Sequence, residues 1–195
     1  LENTKNPTKQ TELALAQALD IQGGLQLARG QANHDLESWK NSTDIYTKLN
    51  KPAQILTTST NQAQALQNLG LYRRAITLLE TALKLPLNST NENTLLLKYH
   101  LQKISASPET TIALHTLGDS LRVVGNFSQA EIVLQQSLKV AKQLNLPDIV
   151  TLSQLGLGNT ARAQINQDKP DKNANKSTIN SKSVQTALNY YQQAA

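Results

Sequence analysis

The chain has 195 residues, of which 38% are hydrophobic and 17% charged, with one Phe, one Trp and no Met; any core must be built from Leu, Ala, Ile and Val, which suits thin helix-on-helix layers. The absence of Cys excludes disulfides, thiolate metal sites and a cysteine nucleophile within these residues. The net charge of +5 is no nucleic-acid signature: four lysines (Lys169, Lys172, Lys176, Lys182) against Asp168 and Asp171 fall in one polar stretch, the remainder balances to +3, and neither a basic helix face nor an aromatic stacking motif accompanies it.

Residues 1–10 are polar, contain Pro7 and carry little expectation of order. A first helix is expected over about Thr11–Arg29, burying Leu13, Ala14, Ala18, Leu19, Leu25 and Ala28. Its Gly23-Gly24 pair, unfavourable in a helix interior, is read as a point of tight packing. A second helix, Asn33–Leu49, carries Leu36, Trp39, Ile45 and Tyr46, with Trp39 expected in the core, and ends at Asn50-Lys51-Pro52. Pro52 opens a third, Ala53–Leu69, where proline is tolerated because the first-turn amide has no partner. Its polar face is Thr57, Thr58, Ser59, Thr60, Gln64, Gln67 and Asn68. A fourth helix spans Tyr72–Leu85, and an extra short one falls over 91–104, with Leu95, Leu96, Tyr99, Leu101 and Ile104. Pro108 opens the sixth helix, Gly125-Asn126 turns into the seventh at Phe127, and Pro147 opens an eighth that reaches about Asn166. The stretch 166–183 has only Ala174 and Ile179 as apolar residues and is expected to be a loop. A ninth helix begins near Ser183 with Val184, Ala187, Leu188 and Tyr191. No apolar run approaches the roughly 20 residues that span a bilayer, and no signal-peptide pattern is present, so membrane insertion is not expected. The compartment stays open, with a soluble, cytoplasmic setting favoured. Leu1 in place of Met, and a motif that ends with Ala195, suggest a fragment of a longer chain.

These elements repeat. Gly, a small residue five on, a large one nine on and a small one twelve on recur at Gly125 (Ala130, Leu134, Ser137) and Gly70 (Ala75, Leu79, Ala82), and more weakly at Gly30 (Asp35, Trp39, Ser42). A split copy aligns Leu152, Leu155 and Gly156 with Leu114, Leu117 and Gly118, and resumes at Ala187, Tyr191 and Ala194; in that register 19 residues interrupt the last unit. The approximate repeats are 11–50, 52–87, 108–146 and 147–195. Each unit is a helical hairpin that cannot bury its apolar stripe alone and so needs neighbours on both sides. The expected fold is all-α: an α-solenoid of antiparallel helical hairpins with eight or nine helices.

Leu117-Gly118, Leu121, Gly125, Phe127, Ala130, Leu134 and Pro147 resemble the tetratricopeptide repeat (TPR), in a variant longer than the minimal unit, over residues 11–195. More narrowly, LGDSLRVVGN (117–126), LGLGNTARAQ (155–164) and ALNYYQQAA (187–195) resemble the TPR arrays that lie ahead of a caspase-like CHAT domain in large cyanobacterial proteins. The resemblance implies a right-handed superhelix in which the first helix of each hairpin lines a groove for a peptide or partner domain. Carried onto this chain, the groove positions are Asp20, Thr57, Thr60, Gln64, Gln67, Asn68, His115, Asp119, Arg122, Ser153 and Thr160. The partner implied is a protein or peptide, or a downstream domain of the same chain, met by hydrogen bonding and shape in a weakly charged groove. The lysines by which some TPRs clamp a carboxyl terminus do not accompany Asn68 and Arg122, and the protease-like Cys and His of CHAT domains have no counterpart here. The alternative function is a regulatory or sensing region of a CHAT-type peptidase whose catalysis lies outside these residues.

Chemistry within the chain is sparse. His34, His100 and His115 stand far apart without ligands at metal spacing, and no cofactor is expected. His115 and Asp119 form an i, i+4 pair on one helix face with Arg122, but no nucleophile accompanies them. Gly156 and Gly158 sit mid-helix with no preceding strand, so they form no phosphate loop.

Overall fold

The computed structural model describes residues 8–30, 32–87, 94–167 and 181–195. Expectations that fall on residues 1–7, on the side chains of His34 and Asp35, and on the expected loop over 166–183 lie wholly or largely outside that description. The described residues form nine helices and no strand: α1 (Lys9–Ala28), α2 (Ala32–Lys48), α3 (Pro52–Asn68), α4 (Tyr72–Leu83), α5 (Thr94–Lys103), α6 (Pro108–Val123), α7 (Phe127–Gln143), α8 (Pro147–Gln167) and α9 (Ser181–Ala194). They fall into two compact units, residues 1–82 and 83–195. Within unit 1, α1 packs on α2 and α2 on α3; within unit 2, α6 packs on α7, α7 on α8 and α8 on α9, the consecutive packing that the repeat pattern requires.

The turns explain the hairpins. Gly70 and Gly125 have φ of 74° and 87°, and Asn50 and Asn145 have φ of 53° and 54°, the left-handed conformation that Gly and Asn adopt at least cost. Each sits where the chain closes back on the helix it leaves: Lys51 N–H donates to the Tyr46 carbonyl (3.0 Å), Leu71 to Leu66 (2.8 Å), Asn126 to Leu121 (2.9 Å) and Leu146 to Ala141 (2.9 Å). Pro52, Pro108 and Pro147 then open the next helices, and Ser107 caps α6 by accepting from Thr110 N–H at 3.1 Å.

Close packing inside the hairpins falls on glycine. A Cβ built on Gly23 would lie 2.6 Å from Trp39 Cε2, one on Gly118 2.5 Å from Leu134 Cγ, and one on Gly158 2.8 Å from Tyr191 Cε1. Gly23 therefore marks tight packing, and Trp39 is buried as expected.

These contacts reveal a duplication. Trp39 follows Gly23 by 16 residues and Leu134 follows Gly118 by 16, and both pairs are offset from each other by 95. The same offset relates Ser42 to Ser137, whose hydroxyls reach the carbonyls of Ala16 (2.9 Å) and Thr111 (3.0 Å), and it relates Asn50 to Asn145 and the starts of α3 and α8. Thus α1–α3 correspond to α6–α8.

The last hairpin corrects the register. Tyr191 follows Gly158 by 33 residues, against 16 in the other two pairs, so the interruption is 17 residues long and Gly158, not Gly156, matches Gly118. The dipeptide Leu-Gly occurs twice running in Leu155–Gly158, and only the second is in phase. Consequently Leu157 is buried, while Leu152 and Leu155 are exposed rather than core.

α1 departs from expectation too. It buries Ala16 and Gly23, while Ala14, Ala18, Leu25 and Ala28 are exposed; apolar residues occur all round this helix, so the close Gly23–Trp39 contact sets its rotation. The extra helix α5 packs on α7, where Gln136 Nε2 donates to the Leu101 carbonyl at 3.0 Å.

The paired glycines give a direct check. Gly23→Ala should destabilise unit 1 by about 1–3 kcal/mol through overpacking against the indole. Gly24→Ala, which meets nothing within 4 Å, should stabilise it by up to about 1 kcal/mol. Urea midpoints of the two variants should move in opposite directions; a shift of the same sign for both refutes the tight contact.

Candidate functional site

The residues expected to line a groove divide by burial. On α3, Thr57 and Asn68 are exposed and Gln64 and Gln67 half-buried; Thr57, Asn61, Gln64 and Asn68 follow one another at helical spacing as a polar stripe. Thr60, by contrast, is 3% exposed, as Ser153 is 0% and Thr160 1%. These three are interior and present nothing to a partner. Their hydroxyls have partners inside: Thr60 donates to the Leu56 carbonyl (2.7 Å) and Thr160 to that of Gly156 (2.8 Å), and Ser153 lies 3.0 Å from Ser137 Oγ. A hydroxyl satisfied by its own helix costs little to bury, which is why a polar letter in the sequence does not mark a polar surface here.

Asp20 also turns inward. Ser42 Oγ and Tyr46 OH each stand 2.8 Å from its carboxylate, and Ser42 Oγ is 2.9 Å from the Ala16 carbonyl as well, two acceptors for one proton. Burial raises the pKa of Asp20, and the two hydrogen bonds hold it part of the way back. Tyr46 is pushed up to about 12, by burial first and then by its bond to Asp20. This is an interhelical clasp between α1 and α2.

At the 95-residue offset the place of Asp20 is taken by His115 and that of Tyr46 by Ala141. His115 has no phenol to meet, and its Nδ1 is buried without a hydrogen-bond partner among the described residues. Asp119 is engaged elsewhere: Arg122 Nη2 and Nε bind its Oδ1 at 2.6 and 3.0 Å.

The three residues named on α6 therefore do come together, as an ion pair beside a half-buried imidazole. Around them lies what the sequence reading placed in the core or passed over. Ile112 and Val123 of α6 and Leu152 and Leu155 of α8 are 39%, 42%, 46% and 39% exposed. The hairpin period of 40 residues that relates Gly118 to Gly158 also relates Ile112 to Leu152 and His115 to Leu155. The two helices, which are in direct contact, thus present the same face. The signal available in the sequence was this register, obscured by the doubled Leu-Gly.

Compared with known proteins, the chain matches no family model and no curated protein. The site thus rests on its own geometry. No helix among the described residues is long and apolar enough to cross a membrane.

His115 provides a pH test. Burial lowers its pKa from 6.5, Asp119 draws it partly back and Arg122 lowers it again. The unfolded chain then binds more protons than the folded one below the ordinary value, so stability is full above it and falls as pH drops through and below it. His115→Gln should narrow the gap between urea midpoints measured at about pH 7 and about pH 5; an unchanged gap shows that His115 does not carry it.

Proposed function

We propose that this protein is a protein–protein interaction scaffold of the TPR-like kind, a right-handed helical-hairpin array whose first helices hold a peptide or domain of a partner. One observation carries the reading: on adjacent helices α6 and α8, Ile112, Val123, Leu152 and Leu155 are exposed, and the helical spacing of Ile112, Asp119 and Val123 puts the Asp119–Arg122 pair on the same face of α6. Large apolar side chains grouped with a charged pair form a surface that gains by being covered. The polar stripe Thr57, Gln64 and Asn68 on α3 offers hydrogen bonding in unit 1. Recognition then combines apolar contact with hydrogen bonds, and the polar groove of the sequence reading becomes a partly apolar one.

The polar cluster supports binding rather than catalysis. Asp119 is held by Arg122 rather than by His115.

Leu152→Asp combined with Leu155→Asp changes exposed positions only, so its melting temperature should stay near that of the parent while capture of the protein partner falls about tenfold or more. Changing Gln64, Gln67, Asn68 and Arg122 to alanine tests the polar contribution. Full capture by both variants removes these faces from the reading. Capture should also change little between low and physiological salt; a steep fall would mean that charge dominates the contact.

A further inference from the structure

Two clefts of the molecule are one site in two copies. A cleft of about 580 Å³ is lined by α2, α3 and α4 in unit 1, and one of about 200 Å³ by α7, α8 and α9 in unit 2. The 95-residue offset, increased by the 17-residue interruption for the last helix, maps Leu36, Leu66 and Leu78 of the first onto Glu131, Ala161 and Tyr190 of the second, and all six line their clefts. The copies differ in charge. Lys40, Arg73 and Arg74 line the unit 1 cleft, whereas Gln135, Gln185 and Thr186 stand at the corresponding places in unit 2.

The hairpin packing therefore does not require cations here, since the second copy is built without them. All three are exposed, and none forms an ion pair among the described residues. Glu37 and Asp44 are exposed on α2 but do not line the cleft. The floor is apolar: Leu66 is buried, and Leu36 and Leu78 are half-buried. This cleft is also distinct from the polar stripe of α3, because that helix lends it Gln62 and Leu66 rather than Thr57, Gln64 or Asn68.

We infer that the unit 1 cleft binds an acidic segment of a partner protein that carries an apolar side chain. The apolar side chain sits on Leu36, Leu66 and Leu78, and neighbouring carboxylates pair with Arg73, Arg74 and Lys40, the arginines suiting the fork geometry of a carboxylate. Charge complementarity selects an acidic ligand, and the recessed apolar floor selects a peptide. A polynucleotide has no aliphatic side chain to place there, and a flat anionic bilayer does not enter a recess.

The test uses the whole chain and a fluorescein-labelled peptide of alternating Asp and Glu around a central Leu-Leu pair, followed by anisotropy. Binding is expected at low salt and weaker at physiological salt. Arg73→Gln with Arg74→Thr, which installs the unit 2 residues at exposed positions, should weaken it about fivefold to tenfold with the melting curve unchanged. The peptide with Gln and Asn for its acids, and the peptide with Ser for its leucines, should each bind more weakly than the parent peptide. Leu152→Asp with Leu155→Asp should leave this binding intact, which separates it from the face proposed above. Absence of binding by the parent chain, equal binding by the arginine variant, or equal binding of the leucine-free peptide, a single-stranded oligonucleotide or anionic vesicles overturns the inference.

Discussion

A large side chain resting where a β-carbon would otherwise be is the contact on which both units depend. At Gly23, Gly118 and Gly158 the helix backbone itself is the wall of the hole, and the indole of Trp39, the isobutyl of Leu134 and the ring of Tyr191 fill it. Because the wall is backbone, it cannot yield as a rotamer would, and the separation of the two helices is fixed at that point. Leu134 is held from two sides, by Gly118 of α6 and by Gly156 of α8, where a Cβ would lie 3.0 Å from it. One side chain thereby ties three helices of unit 2. That is why the sequence carries two glycines close together: Gly156 admits the knob of the preceding hairpin and Gly158 the knob of its own.

With the helix spacing set by these contacts, the remaining interior positions are free to change chemistry as long as partners change together. In unit 1 the layer between α2 and α3 is hydrogen-bonded, Gln62 donating to Thr43 and Thr43 to Thr58. Its counterparts Leu138, Ser153 and Leu157 make the same layer of unit 2 largely apolar. Asp20 and Tyr46 likewise give way to His115 and Ala141 as a pair. A satisfied polar network and an apolar filling are near-equivalent solutions to burial, whereas half of each would leave an orphaned group. His115 Nδ1 and Gln154 Oε1 are places in unit 2 where such orphans remain among the described residues.

The all-helical architecture was readable because it is written in local terms: proline at helix starts, Gly or Asn at turns, and apolar residues at helical spacing. Helix bounds shift from expectation by only a few residues at most. The core was less readable where the helix is apolar all round, as in α1, since periodicity then assigns no inside. The doubled Leu-Gly of α8 defeated it for a related reason, because two registers fit and only contact with Tyr191 chooses between them. The groove was least readable. Threonine and serine read as surface residues in the sequence, yet Thr60 and Thr160 donate to carbonyls of their own helices, Ser153 pairs with Ser137 of α7, and all three are buried as small apolar residues are. Leu152 and Leu155 are exposed as well, although a register that matches Gly156 to Gly118 places them inside.

The duplication offers its own way to separate architecture from binding. Where both units keep a residue type, as at Gly23 and Gly118, Ser42 and Ser137, or Asn50 and Asn145, the reason is visible in a close approach, an interhelical hydrogen bond or a left-handed turn. At the surface the same positions diverge: Gln17 stands against Ile112, Thr57 against Leu152, and Arg73 against Gln185. None of these exchanges touches the contacts that fix the helices, so fold stability does not dictate them. Two copies bound by the same packing rules but carrying different chemistry at these matched surface positions suit a scaffold that engages chemically different partner segments along one chain.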